Sequence, residues 1–284
     1  MALRTVQRLV PAEDTSDGAG VRLRRSIGTR GLDHLDPFLL FDEFRSDDAN
    51  DYLAGFPDHP HRGFETVTYM LAGRMEHRDH AGNQGNLVAG SIQWMTAGRG
   101  IIHSEMPQQE DGLMWGFQLW INLPADRKMS PPRYQDIPPS EVPLVTMDGA
   151  DVRVLAGEVG DTRGPVEGIV TDPVYLDITI DPNATISYAL PNDHNAFIYA
   201  VEGAGSIGIS AENAEGTQVT SGQLGVLGPG DGVRVETGDQ ALRLLLIAAR
   251  PIGEPIARYG PFVMNTEEEI HRAFEDFQKG RFLS

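Results

Sequence analysis

The chain has 284 residues, of which 23 are basic and 41 acidic, so its net charge is −18. Phosphate backbones and anionic lipids repel such a chain, and it has no basic run, which argues against direct nucleic-acid or membrane binding. Cysteine is absent, which excludes disulfides and zinc–thiolate sites. No apolar run approaches the roughly 20 residues that span a bilayer. We therefore expect a globular cytoplasmic protein.

The first chemically informative segment is Phe56-Pro-Asp-His-Pro-His-Arg-Gly63. It places His59 and His61 two residues apart. In an extended strand residues i and i+2 point to the same side, so both imidazoles can bind one ion. Pro60 cannot donate a ladder hydrogen bond, which favours a strand entry or edge with a stiff backbone. We predict a strand that presents two metal ligands.

A second pair follows 44 residues later, in Gly98-Arg-Gly-Ile-Ile-His-Ser-Glu-Met106. His103 and Glu105 have the same spacing and share one strand face. Brought together in a barrel, the two pairs offer three imidazoles and one carboxylate. This donor set suits Fe, Mn, Ni, Cu or Zn rather than Ca or Mg. Glu65, four residues after His61, is a competing carboxylate, either as a ligand or as a hydrogen-bond partner of an imidazole.

Other polar and aromatic residues near these pairs have less specific interpretations. Glu76-His-Arg-Asp-His80 adds two histidines, His77 and His80, which a surface hairpin turn explains. A set of large apolar residues could line a pocket beside the metal, although such residues in strands usually form core; the set is Trp94, Met95, Phe117 and Trp120.

Short runs of β-branched, aromatic and aliphatic residues, each bounded by Gly, Pro, Asn or Asp, predict strands along most of the chain. The clearest are residues 66–71, 152–155, 174–180, 196–201 and 242–248. The 32 glycines and 19 prolines suit the tight turns between such strands. The pattern predicts an all-β sandwich or barrel.

A proline-studded stretch, residues 124–143, separates two strand-rich halves. We predict an N-terminal metal-binding domain over residues 1–130, a linker over 131–143 and a C-terminal domain over 144–284.

One amphipathic helix is predicted at the C-terminal end. Thr266 and Glu269 form a capping-box pattern. Ile270, Phe274 and Phe277 then recur at helical spacing, and Gly280 is a plausible stop. We expect this helix to pack back on a barrel.

The two halves look related, which favours duplicated barrels. At an offset of 130, residues 68–73 lie over 198–203, and at 132 the glycines at 90 and 98 lie over those at 222 and 230. The same offsets carry the four candidate ligands onto residues that cannot form a comparable site; these are Ala189, Pro191, Val235 and Thr237. We therefore expect the C-terminal barrel to be a metal-free scaffold.

These motifs together resemble the pirin family of bicupins. The matching segments are Leu35–Phe44, Phe56–Tyr69, Gln93–Pro107 and Gly260–Thr266. The resemblance implies an all-β fold of two cupin (jelly-roll-like) β-barrel domains in tandem with a C-terminal amphipathic helix. It also implies one transition metal ion per chain, usually Fe(II), and favours Glu105 over Glu65 as the carboxylate ligand. The implied ligand set is His59, His61, His103 and Glu105.

Two functions are compatible with this resemblance. Several bacterial pirins resemble quercetin 2,3-dioxygenase in activity, opening a flavonol ring with O₂ and releasing carbon monoxide. A Lewis-acidic metal lowers the pKa of a bound flavonol hydroxyl, and Glu105 is the nearest candidate to accept its proton. Other pirins are metal- or redox-responsive regulatory proteins that control a partner enzyme or transcription factor. An intact ligand set serves both functions, so the sequence leaves both open.

Overall fold

The computed structural model describes residues 2–209, 213 and 215–283. Within them the chain is built of strands, with one α-helix near its C-terminal end. The predicted all-β fold with a C-terminal helix is confirmed, and each of the five predicted strand runs lies within an observed strand. Among the described residues, no helix is both long and apolar enough to cross a membrane.

The strands are numbered in chain order. They are β1 Val6–Pro11, β2 Glu13–Asp17, β3 Val21–Ile27, β4 Phe38–Ser46, β5 Phe56–His61, β6 Phe64–Ala72, β7 Arg74–Asp79, β8 Gln84–Val88, β9 Ile92–Thr96, β10 Ile101–Pro107, β11 Met114–Asn122, β12 Arg133–Ile137, β13 Leu144–Met147, β14 Ala150–Ala156, β15 Glu158–Val159, β16 Thr162–Arg163, β17 Val174–Ile180, β18 Thr185–Ala189, β19 Asn195–Ile207, β20 Thr217–Thr220, β21 Gln223–Leu227, β22 Gly232–Ala249, β23 Ala257–Tyr259 and β24 Phe262–Met264.

The chain forms two compact units whose segments interleave along the sequence. The first unit comprises Glu13–Pro139 and Ile252–Ser284, and the second comprises Met1–Ala12 and Ser140–Pro251. Compared with the predicted ranges, the first twelve residues are grouped with the C-terminal half and the last thirty-three with the N-terminal half. Strand pairing explains the first grouping, because β1 pairs with β21.

The first unit contains a seven-stranded antiparallel sheet in the order β12-β9-β6-β11-β4-β3-β2. A second sheet, β5-β10-β7-β8, carries both candidate ligand pairs. The stretch predicted as a linker contains β12, which is the edge strand of the seven-stranded sheet and pairs with β9. Edge strands tolerate proline nearby because one side of the ladder is unpaired.

The second unit has the same strand order, and its interior is apolar. Its main path runs β1-β21-β19-β22-β17-β14-β13, and β18 and β20 pair with extensions of β22 and β19. Its interior is one apolar cluster that includes Ile186, Ile198, Val235 and Leu246. Burying these side chains is the main stabilising contribution in this unit.

The C-terminal helix, α1, spans Glu267–Gln278 and belongs to the first unit. Thr266 and Glu269 form the predicted capping box, and Gly280 follows the helix with a positive φ of 67°. Ile270 is buried in a cluster with Phe262 and Phe282. Phe277 is 41 % exposed, and its ring lies edge-on to the rings of Phe262 and Phe282.

Sheet register tests the predicted repeat directly. Thr68 pairs with Gln93 in the first unit, and Ile198 pairs with Gly225 in the second, so offsets of 130 and 132 hold for these strands. The 130 offset does not hold for β5. His59 pairs with His103, whereas Ile186 pairs with Val235, so His59 corresponds to Ile186 rather than to Ala189. Likewise, pairing through Ile101 and Val233 places His61 over Tyr188 rather than over Pro191.

Candidate metal centre

The two predicted ligand pairs lie on adjacent antiparallel strands. On β5 and β10, His59 is directly opposite His103, and His61 is opposite Ile101. The register shifts between His103 and Glu105. Such a bulge re-aims side chains locally, which a local sequence pattern does not reveal. The pairing brings three imidazoles to one point.

The imidazoles of His59, His61 and His103 form a tight cluster. One ring nitrogen from each lies within 4.8 Å of those of the other two. The ring centroids are 4.4 Å apart for His59 and His103, 4.6 Å for His59 and His61, and 5.1 Å for His61 and His103. This three-histidine group can hold a metal ion.

The protonation of His59 is set by a backbone carbonyl. Its Nδ1 lies 2.8 Å from the carbonyl oxygen of Pro57, which only accepts, so Nδ1 carries the proton and Nε2 is left to coordinate. That Nε2 lies 3.0 Å from Nε2 of His61. The two nitrogens are close enough together to coordinate one shared cation.

Burial keeps the other two imidazoles neutral. It lowers the pKa of His61 and of His103 well below the ordinary value, and the neighbouring imidazoles lower both further. Neither ring nitrogen of His103 has a hydrogen-bond partner among the described residues, although both are buried. A buried imidazole without a partner is costly unless its lone pair binds something. The donor set therefore fits a transition metal.

Glu105 lies beside this cluster, with its carboxylate held by two other strands. The hydroxyl of Thr68 donates to Oε1 at 3.0 Å, and the amide of Gln118 donates to Oε2 at 3.0 Å. Trp120 Nε1 in turn donates to the amide oxygen of Gln118 at 3.3 Å, which fixes the orientation of that amide. Glu105 is 2 % exposed. Its carboxylate oxygens are not part of the group of ligand atoms that lie within 4.8 Å of one another, which consists of one nitrogen from each of the three histidines.

Glu65 does not hydrogen-bond an imidazole in the structure. Successive side chains of a strand point to opposite faces, so Glu65 lies on the face of β6 opposite to that of Thr66 and Thr68. The hydrogen bond between Thr68 and Glu105 is on that other face. Oε1 of Glu65 accepts a hydrogen bond from Thr96 at 2.7 Å. Burial raises the pKa of Glu65, which favours its protonated form.

The interpretation of His77 as a surface turn residue is wrong. His77 lies on β7 directly opposite Glu105 and is fully buried. Its Nε2 is 3.0 Å from Oδ2 of Asp136, whose other oxygen accepts from Gln93 at 2.8 Å. Asp136 belongs to β12, in the stretch predicted as a linker. The alternation along β7 is a signal that could have placed His77 inward.

A cavity of about 620 Å³ opens onto His59 and His61. Gln118 lines it, and its aromatic wall is formed by Phe44, Phe56 and Trp120. Three residues considered as pocket candidates from the sequence are instead buried and absent from its lining; they are Trp94, Met95 and Phe117. The ligand cluster therefore lies beside a space large enough for a small aromatic molecule.

Comparison with known proteins identifies both halves of the chain. The family model for pirin matches residues 20–121, and the model for the pirin C-terminal cupin domain matches residues 175–283. A pirin-like protein from Caulobacter vibrioides is 49 % identical over 99 % of this chain and 100 % of its own length.

Solved structures with the same fold include two informative relatives. A quercetin 2,3-dioxygenase from Acinetobacter baumannii has a TM-score of 0.88 and 30 % identity, covering 100 % of this chain and 99 % of that one. A bacterial pirin from Escherichia coli, in complex with nickel(II), has a TM-score of 0.66 and 20 % identity, covering 86 % and 98 %. At that identity the second likeness shows the fold alone.

Proposed function

The chain belongs to the pirin family, and we propose on that premise that it is an iron-dependent dioxygenase acting on flavonols. The observation that carries the proposal is the three-histidine cluster, of which His59 and His61 line a cavity that has aromatic as well as charged side chains in its wall. The likeness to the Acinetobacter baumannii quercetin 2,3-dioxygenase supports the reaction class.

We assign Glu105 as the fourth ligand, with His59, His61 and His103, to one Fe(II) per chain. Glu105 and His103 are both buried on the same face of β10. Iron is proposed from the family; Mn, Ni, Cu and Zn also suit three imidazoles and a carboxylate. When bound, the metal supplies Lewis acidity, which lowers the pKa of a coordinated hydroxyl.

The surrounding residues bind and orient the substrate. The rings of Phe44, Phe56 and Trp120 provide flat apolar contacts for a polycyclic flavonol. Glu105 accepts the proton of the flavonol 3-hydroxyl. Thr68 and Gln118, which donate to its two oxygens, keep its lone pairs oriented for that transfer.

The reaction balances with O₂ as the only co-substrate. The central ring of the flavonol loses two carbon–carbon bonds, and the carbon between them leaves as carbon monoxide. Both oxygen atoms of O₂ enter the ring-opened ester. No external reductant is required.

The test is aerobic incubation of the iron-loaded protein with quercetin. We expect slow loss of the flavonol absorption band with one carbon monoxide per quercetin, and no loss without O₂. Glu105→Gln should lose more turnover than metal, because the amide cannot take the proton. A rate equal to that of free ferrous ion would contradict the proposal.

The same ligand set would also serve the alternative function, that of a metal- or redox-responsive regulatory protein that controls a partner enzyme or transcription factor. Exposed aromatic side chains at the C-terminal end favour a protein contact, since Tyr259 is 69 % and Phe277 is 41 % exposed. Stoichiometric metal binding without quercetin turnover above free iron would favour this function over the enzyme.

A further inference from the structure

Arg62, the residue directly after His61, is a buried cation whose side chain joins three separate segments. Its Nε donates to the carbonyl oxygen of Arg99. Nη1 donates to Asp276 Oδ2 at 2.9 Å, and Nη2 donates to the carbonyl oxygen of Phe282 at 3.1 Å. The guanidinium carbon lies 4.4 Å from the centre of the Phe282 ring. Asp276 is on α1, so one side chain connects both ligand segments to the C-terminal helix.

The second ligand pair rests on the same C-terminal residues. Arg99 and Gly100 immediately precede β10, which carries His103. A Cβ at Gly100 would lie 2.8 Å from the carbonyl oxygen of Phe282, which shows how closely the two backbones approach. Ile102, next to His103, packs on the cluster that contains Phe282.

Backbone contacts complete the connection at the first pair. The amide of Arg62 donates to Pro261, and the amide of Val263 donates to Arg62. Gly63 leaves no room for a side chain, because a Cβ there would overlap the carbonyl oxygen of Val263. Lys128 Nζ bonds the carbonyl oxygens of both Gly63 and Val263, at 2.9 and 3.0 Å.

We propose that Arg62 is a positioning residue of the metal centre, through which α1 and residues 261–282 set the relative placement of the two ligand pairs. The inference rests on the proposed function in that these pairs bind a metal. It goes beyond it in making the docked helix a part of the site's geometry. A rigid support raises metal affinity because less order must be created when the ion binds.

The proposal predicts two-way coupling between the metal and α1. If seating of the helix favours metal binding, metal binding must favour seating of the helix by the same factor. In the wild-type protein, saturation with Ni²⁺ should therefore slow hydrogen exchange across residues 267–278. This measurement needs no variant, so it stands even if a substitution prevents folding.

Asp276→Asn tests the connection with little change in volume. We expect Ni²⁺ affinity, measured by chelator competition, to fall about tenfold, as for other residues that orient ligands. Hydrogen exchange at residues 59–63 and 99–103 of the metal-free protein should rise. Asp276→Glu, which keeps the carboxylate, should retain most of the affinity.

Two controls separate this effect from a general loss of helix stability. Glu275→Gln removes the same charge one position earlier, where the carboxylate pairs with exposed Lys279 across one helical turn, and should leave Ni²⁺ affinity unchanged. Arg281→Gln removes the second partner of Asp276, a more exposed contact at 3.7 Å, and should do the same.

The outcomes distinguish this inference from the proposed function. If the wild-type protein binds Ni²⁺ but Asp276→Asn matches Glu275→Gln in affinity, or Ni²⁺ leaves exchange of the helix unchanged, the coupling is refuted and the metal site stands. If the wild-type protein binds neither Ni²⁺ nor Fe(II), both fail.

Discussion

The two units arrange their strands in the same order, but the first carries polar side chains at inward positions where the second carries mostly apolar ones. Positions that correspond by sheet register differ at five residues of the candidate site and its surroundings. The pairs are His59 and Ile186, His103 and Val235, Glu105 and Thr237, Thr68 and Ile198, and Gln118 and Leu246. In the second unit, four of these five positions belong to the apolar cluster.

The difference shows what a binding site costs a barrel of this design. The second unit gains stability from apolar side chains that need no partners. The first unit buries imidazoles and a carboxylate, and each such group is unfavourable unless hydrogen-bonded or coordinated. Thr68 and Gln118 meet that requirement for Glu105, whereas His103 has no partner among the described residues.

Each unit also has a buried cation shortly before an edge strand of its main sheet. Arg4 precedes β1 and donates to the carbonyl oxygens of Pro191, His194 and Gly228. Lys128 precedes β12 and donates to two carbonyl oxygens and to Asn122. Both cations are 1 % exposed. The shared device anchors the start of an edge strand, independently of what the barrel contains.

The largest expected effect is loss of the metal on removal of one imidazole. His59→Ala or His103→Ala should abolish stoichiometric binding, because the remaining ligands leave a weak and partly open site. Elemental analysis of purified protein is the measurement. Metal at wild-type stoichiometry in both variants would contradict the assignment.

Truncating a core side chain of the second unit should lower the stability of the protein and leave its metal content unchanged. Leu246→Ala, at the position of Gln118, should destabilise the protein by about 2–5 kcal/mol because it leaves a cavity. Metal stoichiometry should stay unchanged. Urea unfolding and elemental analysis check the two parts, and a parallel loss of metal would refute the division of roles.

The two buried cations should differ in pH dependence. Burial lowers the pKa of Lys128 to about 8, so between pH 8 and about 10.4 the unfolded chain binds more protons than the folded one. The stability of wild type relative to Lys128→Met should therefore rise across this window, by roughly 3 kcal/mol at most. Arg4 stays protonated there, so the difference between wild type and Arg4→Met should stay flat. Urea unfolding at several pH values is the measurement.

The smallest expected effect comes from giving the first unit an apolar residue beside Glu105. Thr68→Val removes the hydroxyl that donates to Oε1 and should weaken metal binding about tenfold. Thr66→Val is the matched control, because Thr66 lies on the same face of β6 and is buried to a similar degree. Chelator competition should show no change for Thr66→Val; equal losses in both would mean that strand packing, not Glu105, is responsible.

The local features of this chain were predictable from its sequence. The capping box of α1, the extended runs and the His-x-His spacing depend on neighbouring residues, and the structure has them where the patterns indicate. The resemblance in the motifs also identified the family correctly.

Long-range strand pairing was not predictable from neighbouring residues. The pairing of β1 with β21 and the pairing of β12 with β9 at the edge of a sheet depend on partners far away in sequence. The failed 130 offset at β5 reflects a change in loop length that no local pattern records. Thr68 and Gln118 lie outside the recognised ligand pairs. The sequence marks them less clearly than the His-x-His spacing marks the ligands, because each is only a polar side chain at an inward position of an otherwise apolar strand.

The interleaved segments have a consequence for synthesis on the ribosome. β1 is synthesised well before its partner β21, which emerges more than two hundred residues later. The first unit likewise contains residues 252–284, which are translated after all of its other residues. Neither unit can therefore be completed while the nascent chain is still short, and such long-range pairing slows folding.

For the candidate site, this order of synthesis sets a timing. Both ligand pairs leave the ribosome well before the carbonyl oxygen of Phe282 that supports Arg62, which lies 220 residues after it. A nascent chain stalled before that point exposes three histidines without their support. Tight metal capture should therefore require a chain that extends through Phe282.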